Sequence, residues 1–383
     1  MKSIPAWNAD RIDTGPATMA AMKLKIARAA ARDWITTAGR LYPGYLGAYL
    51  SGSTTALPDD AELPVGSDVD IMLVTRQPVD GLKLGKFEHR GVLLEVTYVA
   101  WDRLHPAEVA LADYHLAGGL RYDTIIDDPA GALHALQRQV AARFADPAWV
   151  QARCRSVRDK IQTALESPDP ALPWHDQVTS WLFPTGVTAH LILVAGLRNP
   201  TVRLRYLRAR EALTDFGLAR CYPGLLRLMG ADQLTATQVR GHVDALARTF
   251  DAAAAVARTP FFFSTDITPI ARPIAVDASY DLVERGDHRE AMFWITATFA
   301  RCHKILAADA PETQARLTPL FDAVLYDLGI SSGSDLRHRT QTTLAALPEL
   351  WDTTEKIIAA SVRGRERAVR LAHVFRFYRG GHL

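Results

Sequence analysis

Three carboxylates carry the chemistry of this chain: Asp68, Asp70 and Glu95. In Ser67-Asp68-Val69-Asp70-Ile71 an apolar strand opens on an Asp-x-Asp pair. Successive strand residues point to opposite faces, so Asp68 and Asp70 share one face while Val69, Ile71 and Leu73 share the other. Two carboxylates held side by side repel each other and lose hydration, and a bound cation relieves both. Hard oxygen ligands select Mg²⁺ or Mn²⁺, and Mg²⁺ completes its shell with substrate phosphates and water. Glu95 is the one charge in Val92-Leu93-Leu94-Glu95-Val96-Thr97-Tyr98-Val99. A lone carboxylate inside an apolar strand breaks local consistency, which chains tolerate mainly at functional sites.

A phosphate cradle lies close by in sequence. The strand 46–51 ends in Gly52-Ser53. Glycine lets the main chain turn sharply and lets a phosphate approach it. Successive N–H groups in such a turn form an anion-binding concavity, and the Ser53 hydroxyl adds a donor. Ordinary turns use the same pair, so its weight comes from the Asp-x-Asp that follows. Together these residues suit a divalent metal holding a nucleoside triphosphate.

Gly-Ser, then Asp-x-Asp, then a third acid on a later strand resembles the DNA polymerase β-type nucleotidyltransferase superfamily. Ser67-Asp68-Val69-Asp70-Ile71 with Leu94-Glu95-Val96-Thr97 is most similar to the aminoglycoside adenylyltransferases that modify streptomycin and spectinomycin. The resemblance covers roughly residues 45–105. Fourteen residues, Thr54 to Ser67, separate Gly-Ser from Asp68, more than the family usually has, and they include Asp59, Asp60 and Glu62. The resemblance implies a nucleotide held by Gly52, Ser53 and Ser67, with two Mg²⁺ ions held by Asp68 and Asp70. Glu95 either completes the second metal site or takes the proton from an acceptor hydroxyl. ATP is the nucleotide the resemblance favours. The expected acceptor is a small hydroxylated molecule such as an aminoglycoside, adenylylated with release of pyrophosphate. Transfer to RNA or protein, as in toxin-like members, and a non-catalytic nucleotide-binding module are the alternatives.

The elements that must position these groups are legible in outline. Met22, Ile26, Ala30 and Trp34 recur at helical spacing within 17–40, and Pro43-Gly44 ends that helix. Strands are expected near 46–51, 69–75 and 92–100, with Pro78 to Gly85 in the connection between the last two. The expected fold is α+β: a nucleotidyltransferase domain over 1–130, with a short mixed sheet and packed helices, then an α-helical bundle over 131–383. Helices are expected over 130–145, 148–166, 176–197, 201–217, 236–258, 278–308, 312–328 and 346–378, with breaks at Pro168-Asp169-Pro170, Asn199-Pro200, Pro223-Gly224 and Ile267–Pro273.

Composition narrows the function classes. The 383 residues are 48% hydrophobic and 22% charged, as in globular proteins. A net charge of +2 disfavours a dedicated nucleic-acid binder. The charge is uneven: residues 1–130 hold 13 Lys+Arg and 17 Asp+Glu, and the remainder holds 31 and 25. An acidic metal-binding part facing an Arg-rich part suits a bound polyanion, and chance distribution over solvated faces gives the same asymmetry. Cys154, Cys221 and Cys302 lack any zinc spacing, and read as buried thiols of a reducing compartment. The start Met1-Lys2-Ser3-Ile4-Pro5-Ala6 has no apolar signal region, and the apolar run 187–197 is too short for a bilayer. A cytoplasmic protein with no membrane partner is expected.

Secondary candidates lie elsewhere. Arg198, Arg203, Arg205, Arg208 and Arg210 crowd a helix start after Pro200. Arginine forks suit phosphate oxygens, with Arg203 and Arg205 the candidates, and the alternative is surface pairing with Glu211 and Asp215. Trp101 and Asp102, just after the Glu95 strand, are placed at the rim as a site for a cationic, hydroxyl-rich acceptor. Asp287-His288-Arg289-Glu290 reads as a cleft wall or as a solvated acidic first turn. Phe261-Phe262-Phe263 reads as core packing. Arg363, Arg365, Arg367, Arg370, Arg376 and Arg379 give the last helix a basic end.

Overall fold

A computed structural model describes residues 22–63, 66–79 and 83–379, with the side chains of 362–379 outside that description. The sheet is built from β1 (Tyr45–Ser51), β2 (Val69–Thr75), β3 (Gly85–His89), β4 (Val92–Ala100) and β5 (Ile125–Asp127), in the order β3-β4-β2-β1-β5. β2 and β4 are parallel and the other neighbours antiparallel, so the sheet is mixed.

Strand alternation sorts the side chains into two layers. Val69, Ile71, Leu73, Leu94 and Val96 pack with Leu24, Ala27, Ala31 and Ile35 of α1 (Leu24–Thr37). On the opposite face, Tyr49, Val74 and Val99 pack with α2 (Ala107–Ala112) and with Leu133, Leu136 and Val140 of α3 (Ala132–Arg143). Asp70 and Glu95 belong to this second face, beyond its apolar cover. The acidic loop after Gly52-Ser53 is tied to α1. Arg28 pairs with Asp59 at 2.5 Å and donates to the carbonyls of Thr54 and Leu57, and Lys23 meets Glu62 at 3.6 Å. The carbonyls of Ala61 and Asp59 accept from the N–H groups of Leu24 and Lys25, which otherwise lack partners at a helix start.

The remaining helices are α4 (Pro147–Glu166), α5 (Trp174–Ala195), α6 (Arg205–Asp215), α7 (Tyr222–Met229), α8 (Ala236–Val256), α9 (Ala278–Glu284), α10 (His288–Asp309), α11 (Pro311–Asp327) and α12 (Gly333–Arg379). The α+β architecture is the one expected from the sequence. α5 and α10 are buried around most of their circumference and run through the centre of the bundle.

Several elements differ from expectation. β3, β5 and α2 lie where no element was expected from the sequence. Pro223-Gly224, read as a break, sits in the first turn of α7, where proline costs no hydrogen bond. The expected helix 278–308 is two helices, and α12 begins well before 346 and runs through Pro348. Most of the run 187–197 belongs to 22-residue α5, which is long and apolar enough to cross a membrane. In this molecule 78% of its most apolar window is buried, so it serves as a core helix. Residues 17–21 of the first expected helix, and the side chains of Arg363 to Arg379, lie outside the described residues.

Candidate metal centre

Register brings four polar residues into one row across the sheet. Ser51 of β1 faces Asp70 of β2, Asp70 faces Glu95 of β4, and Glu95 faces Lys86 of β3. Asp68 stands just before β2. One carboxylate oxygen from each of Asp68, Asp70 and Glu95 lies within 4.8 Å of the others. This is the only such cluster among the described residues.

Gly52 closes the other side of this group. Its φ is +75°, and a Cβ there would fall 1.7 Å from Asp70 Oδ2, so both the backbone and the neighbour require glycine. A side chain at position 52 would thus collide with a carboxylate of the cluster itself. Ser53 is exposed and Ser67 half-buried at the two ends of the intervening loop.

Lysines cover part of the acidity. Lys86 Nζ is 2.8 Å from Asp68 Oδ2, contacts Glu95 Oε2, and is 3.1 Å from Asp266 Oδ1. Lys83 pairs with Glu95 Oε1. Burial alone pushes the Glu95 carboxyl up, but Lys86 and Lys83 outweigh it and hold the group down at about 2. Burial likewise opposes the Lys86 ammonium, and Asp68, Asp266 and Glu95 overcome it and hold the pKa above the usual lysine range. Asp68 is raised by burial, offset in part by Lys86. Asp70 is raised well above the carboxylate range, by burial first and then by the charges of Asp68 and Glu95. No hydrogen bond or ion pair within the described residues reaches its carboxylate. A hard divalent cation fits this donor set. Three carboxylates converge, they repel, and the innermost lacks a donor.

The helical part supplies a cationic wall. Asp266, in a turn of 3₁₀ helix over Ser264–Asp266, accepts from Lys86 and, at 3.0 Å, from Arg301 of α10. The Thr265 hydroxyl accepts from the Lys86 backbone N–H at 2.9 Å, which seats this turn on β3. Arg301 lies against the rings of Phe263 and Trp294, each 5.3 Å away. Burial lowers its pKa against the pull of Asp266 and Glu95. Arg203 is half-buried. Burial lowers its pKa too, against the pull of Asp68 and Asp281.

The other sequence candidates fall elsewhere. Arg205 is buried, its guanidinium 3.7 Å from the Phe293 ring, and burial lowers its pKa to about 10. Arg198 and Arg208 pair with Asp215 and Glu211, the surface pairing weighed above. Trp101 and Asp102 follow the far end of β4, six residues beyond Glu95 and about 20 Å from it at the usual strand rise. Trp101 stacks on His105 instead, so the structure does not bring the expected acceptor rim to the carboxylates. Of the three phenylalanines, Phe263 is buried and Phe262 is 61% exposed.

Lys86 and Asp266 were missed. A signal for Lys86 was present: Arg90-Gly91 between Lys86-Phe87-Glu88-His89 and the Glu95 strand is a two-residue hairpin turn, with φ of +51° and +74°. Pairing across it sets Lys86 beside Glu95. Asp266 is 180 residues away and carried no comparable sign.

No family model and no curated protein matches this chain. Among solved structures, a nucleotidyltransferase-like protein from Exiguobacterium sibiricum 255-15 aligns with 81% of this chain and 91% of its own. At 13% identity and a TM-score of 0.27 the likeness is too slight to place the chain in a family.

Proposed function

We propose that this protein is a Mg²⁺-dependent nucleotidyltransferase. The observation that carries the reading is the convergence of Asp68, Asp70 and Glu95 within 4.8 Å, with the Asp70 carboxyl raised by burial and then by the charges of Asp68 and Glu95. A divalent ion held by these three residues would neutralise triphosphate charge and make the α-phosphorus a better electrophile. Gly52 abuts Asp70, and Ser53 and Ser67 stand at the two ends of the intervening loop, so these three residues are the proposed holders of the outer phosphates. Arg203 adds a positive charge near Asp68. The oxygen of an acceptor hydroxyl would then bond to the α-phosphorus as its proton passes to water, the bond to the bridging oxygen would break, and pyrophosphate would leave. The chain's part is mainly positioning and charge stabilisation.

Glu95 is better suited to hold metal than to take a proton. In the metal-free protein Lys86 and Lys83 outweigh burial and keep this carboxyl ionised, the form that binds a metal, whereas an effective base has a pKa near the working pH. ATP is the proposed nucleotide, on the motif resemblance alone. The proposed acceptor is a small hydroxylated molecule. An aminoglycoside would need carboxylates for its ammonium groups, and Asp266 is already shared by Lys86 and Arg301. The proposal therefore rests on the hydroxyl rather than on that antibiotic class. Incubation with labelled NTPs, Mg²⁺ and pools of hydroxylated small molecules, RNA and proteins tests it. Label transfer by the wild type, lost with Asp70→Asn and with chelator, supports the reading. Absence of transfer to every pool, together with absence of metal-dependent NTP binding, overturns it.

A further inference from the structure

We propose that Lys86 is a displaceable counter-cation: it occupies Asp68 and Glu95 until a divalent ion takes those carboxylates, and then turns to the phosphates of the incoming nucleotide. This rests on the metal-site reading above. Lys86 Nζ bridges two of the three carboxylates that would hold the ion, 2.8 Å from Asp68 and in contact with Glu95. An ammonium and a divalent cation on the same oxygens repel each other strongly at the low effective dielectric of a half-buried site. The two cations therefore compete.

Only the side chain is free to respond. The Lys86 backbone is held in register with Glu95 and donates to Thr265. Its ammonium ends a flexible four-carbon stem, which can swing while the strand stays in place. Lys83, the other lysine on Glu95, has 24% of its side chain exposed and can move into water; Lys86 has 8%. Released from the triad, Lys86 keeps Asp266 at 3.1 Å, and Asp266 is already shared with Arg301. A triphosphate brought by the metal offers more negative charge than half of Asp266. Lysine binds phosphate as a point charge, with no demand for a fixed fork geometry.

The test separates competition from simple structural support. Lys86→Met keeps the stem and removes the charge. Mn²⁺ is titrated without nucleotide, following the free-ion resonance, and then a non-hydrolysable ATP analogue is titrated at saturating Mn²⁺. The variant is expected to bind Mn²⁺ about fivefold or more tightly than the wild type, the low end of typical coupling between sites. It is expected to bind the analogue about tenfold more weakly, as for loss of one charge-assisted contact, and Lys86→Arg should restore that contact. Equal or weaker Mn²⁺ binding by Lys86→Met overturns the competition, and unchanged analogue binding overturns the phosphate contact. If Lys86→Met does not fold, Lys86→Met with Asp266→Asn is compared with Asp266→Asn alone, which leaves one fewer carboxylate uncompensated. Mn²⁺ binding by neither wild type nor variant sinks the metal-site reading itself, a result distinct from binding without competition.

Discussion

Two acidic clusters in this molecule are built in opposite ways. At the start of α10, Arg210 reaches Asp287 and Glu290 at 2.6 Å each, and the Tyr222 hydroxyl donates to Glu290 at 2.7 Å. Both acids also sit at a helix N-terminus, where the dipole favours negative charge. At the triad Asp70 and Glu95 stand on strands, whose dipoles largely cancel, and Asp68 stands just before one. Lysines reach Asp68 and Glu95, but no donor among the described residues reaches Asp70. The first cluster is closed by the protein's own groups and reads as architecture. The second remains open, and an open acidic cluster needs something from outside. Asp287-His288-Arg289-Glu290, weighed as a cleft wall from its sequence, is the architectural first turn.

The largest expected contrast comes from neutralising one acid in each cluster. Asp70→Asn should lower nucleotidyl transfer by about three orders of magnitude or more, in the range for losing a group that acts on transition-state charge. It should also raise the melting temperature of the metal-free protein, because the repulsion is gone. Glu290→Gln should do the reverse: transfer retained, stability reduced by about 1–3 kcal/mol through weakened charged hydrogen bonds. Near-normal turnover in a folded Asp70→Asn protein would break the comparison.

Glu95→Gln sharpens it within the triad. A ligand role predicts a raised Mg²⁺ requirement, with much of the single-turnover rate recovered at high Mg²⁺. A base role predicts a fall of about two to four orders of magnitude that Mg²⁺ does not repair. The metal dependence of the single-turnover rate decides between them.

Stability of the metal-free protein against pH gives a smaller signal with opposite signs at two neighbouring residues. Asp70 titrates higher in the fold than in the unfolded chain, where about 3.9 is usual. Its contribution to stability therefore falls as pH rises from that value through the raised one, and Asp70→Asn removes the fall. Glu95 is depressed to about 2, so its contribution is present above the unfolded value of about 4.3 and is lost as pH falls toward 2. Melting temperatures in chelator across this range should show the two variants diverging in opposite directions. At the small end, Arg203→Ala should weaken NTP binding by about tenfold, measured by equilibrium dialysis. Trp101→Ala should leave NTP and acceptor affinity unchanged, because Trp101 stacks on His105 far from the carboxylates.

The carboxylates were legible in the sequence because their cause is local. Strand period alone places Asp68 and Asp70 together, and an isolated Glu95 in an apolar run marks itself. The α+β layout was legible through the shift from alternating to helical periodicity. What escaped was non-local or short. β5 has three residues and α2 six, too few for a period to show. The break within 278–308 did carry a sign, Gly286 inside the polar run Glu284–Glu290, but helical periodicity on both sides ran across it. Asp266 reaches the site only because its turn seats on β3, a contact that no local pattern encodes. Trp101 was placed at the rim by sequence adjacency to the Glu95 strand, yet a strand carries its end residue far from its middle.

Diffraction from crystals soaked in Mn²⁺ and an ATP analogue, collected at the manganese absorption edge, tests the central claim most directly. Anomalous density is expected among the carboxylates of Asp68, Asp70 and Glu95 in the wild type, with none in Asp70→Asn. A wild-type triad without anomalous density at saturating Mn²⁺ and nucleotide would contradict it.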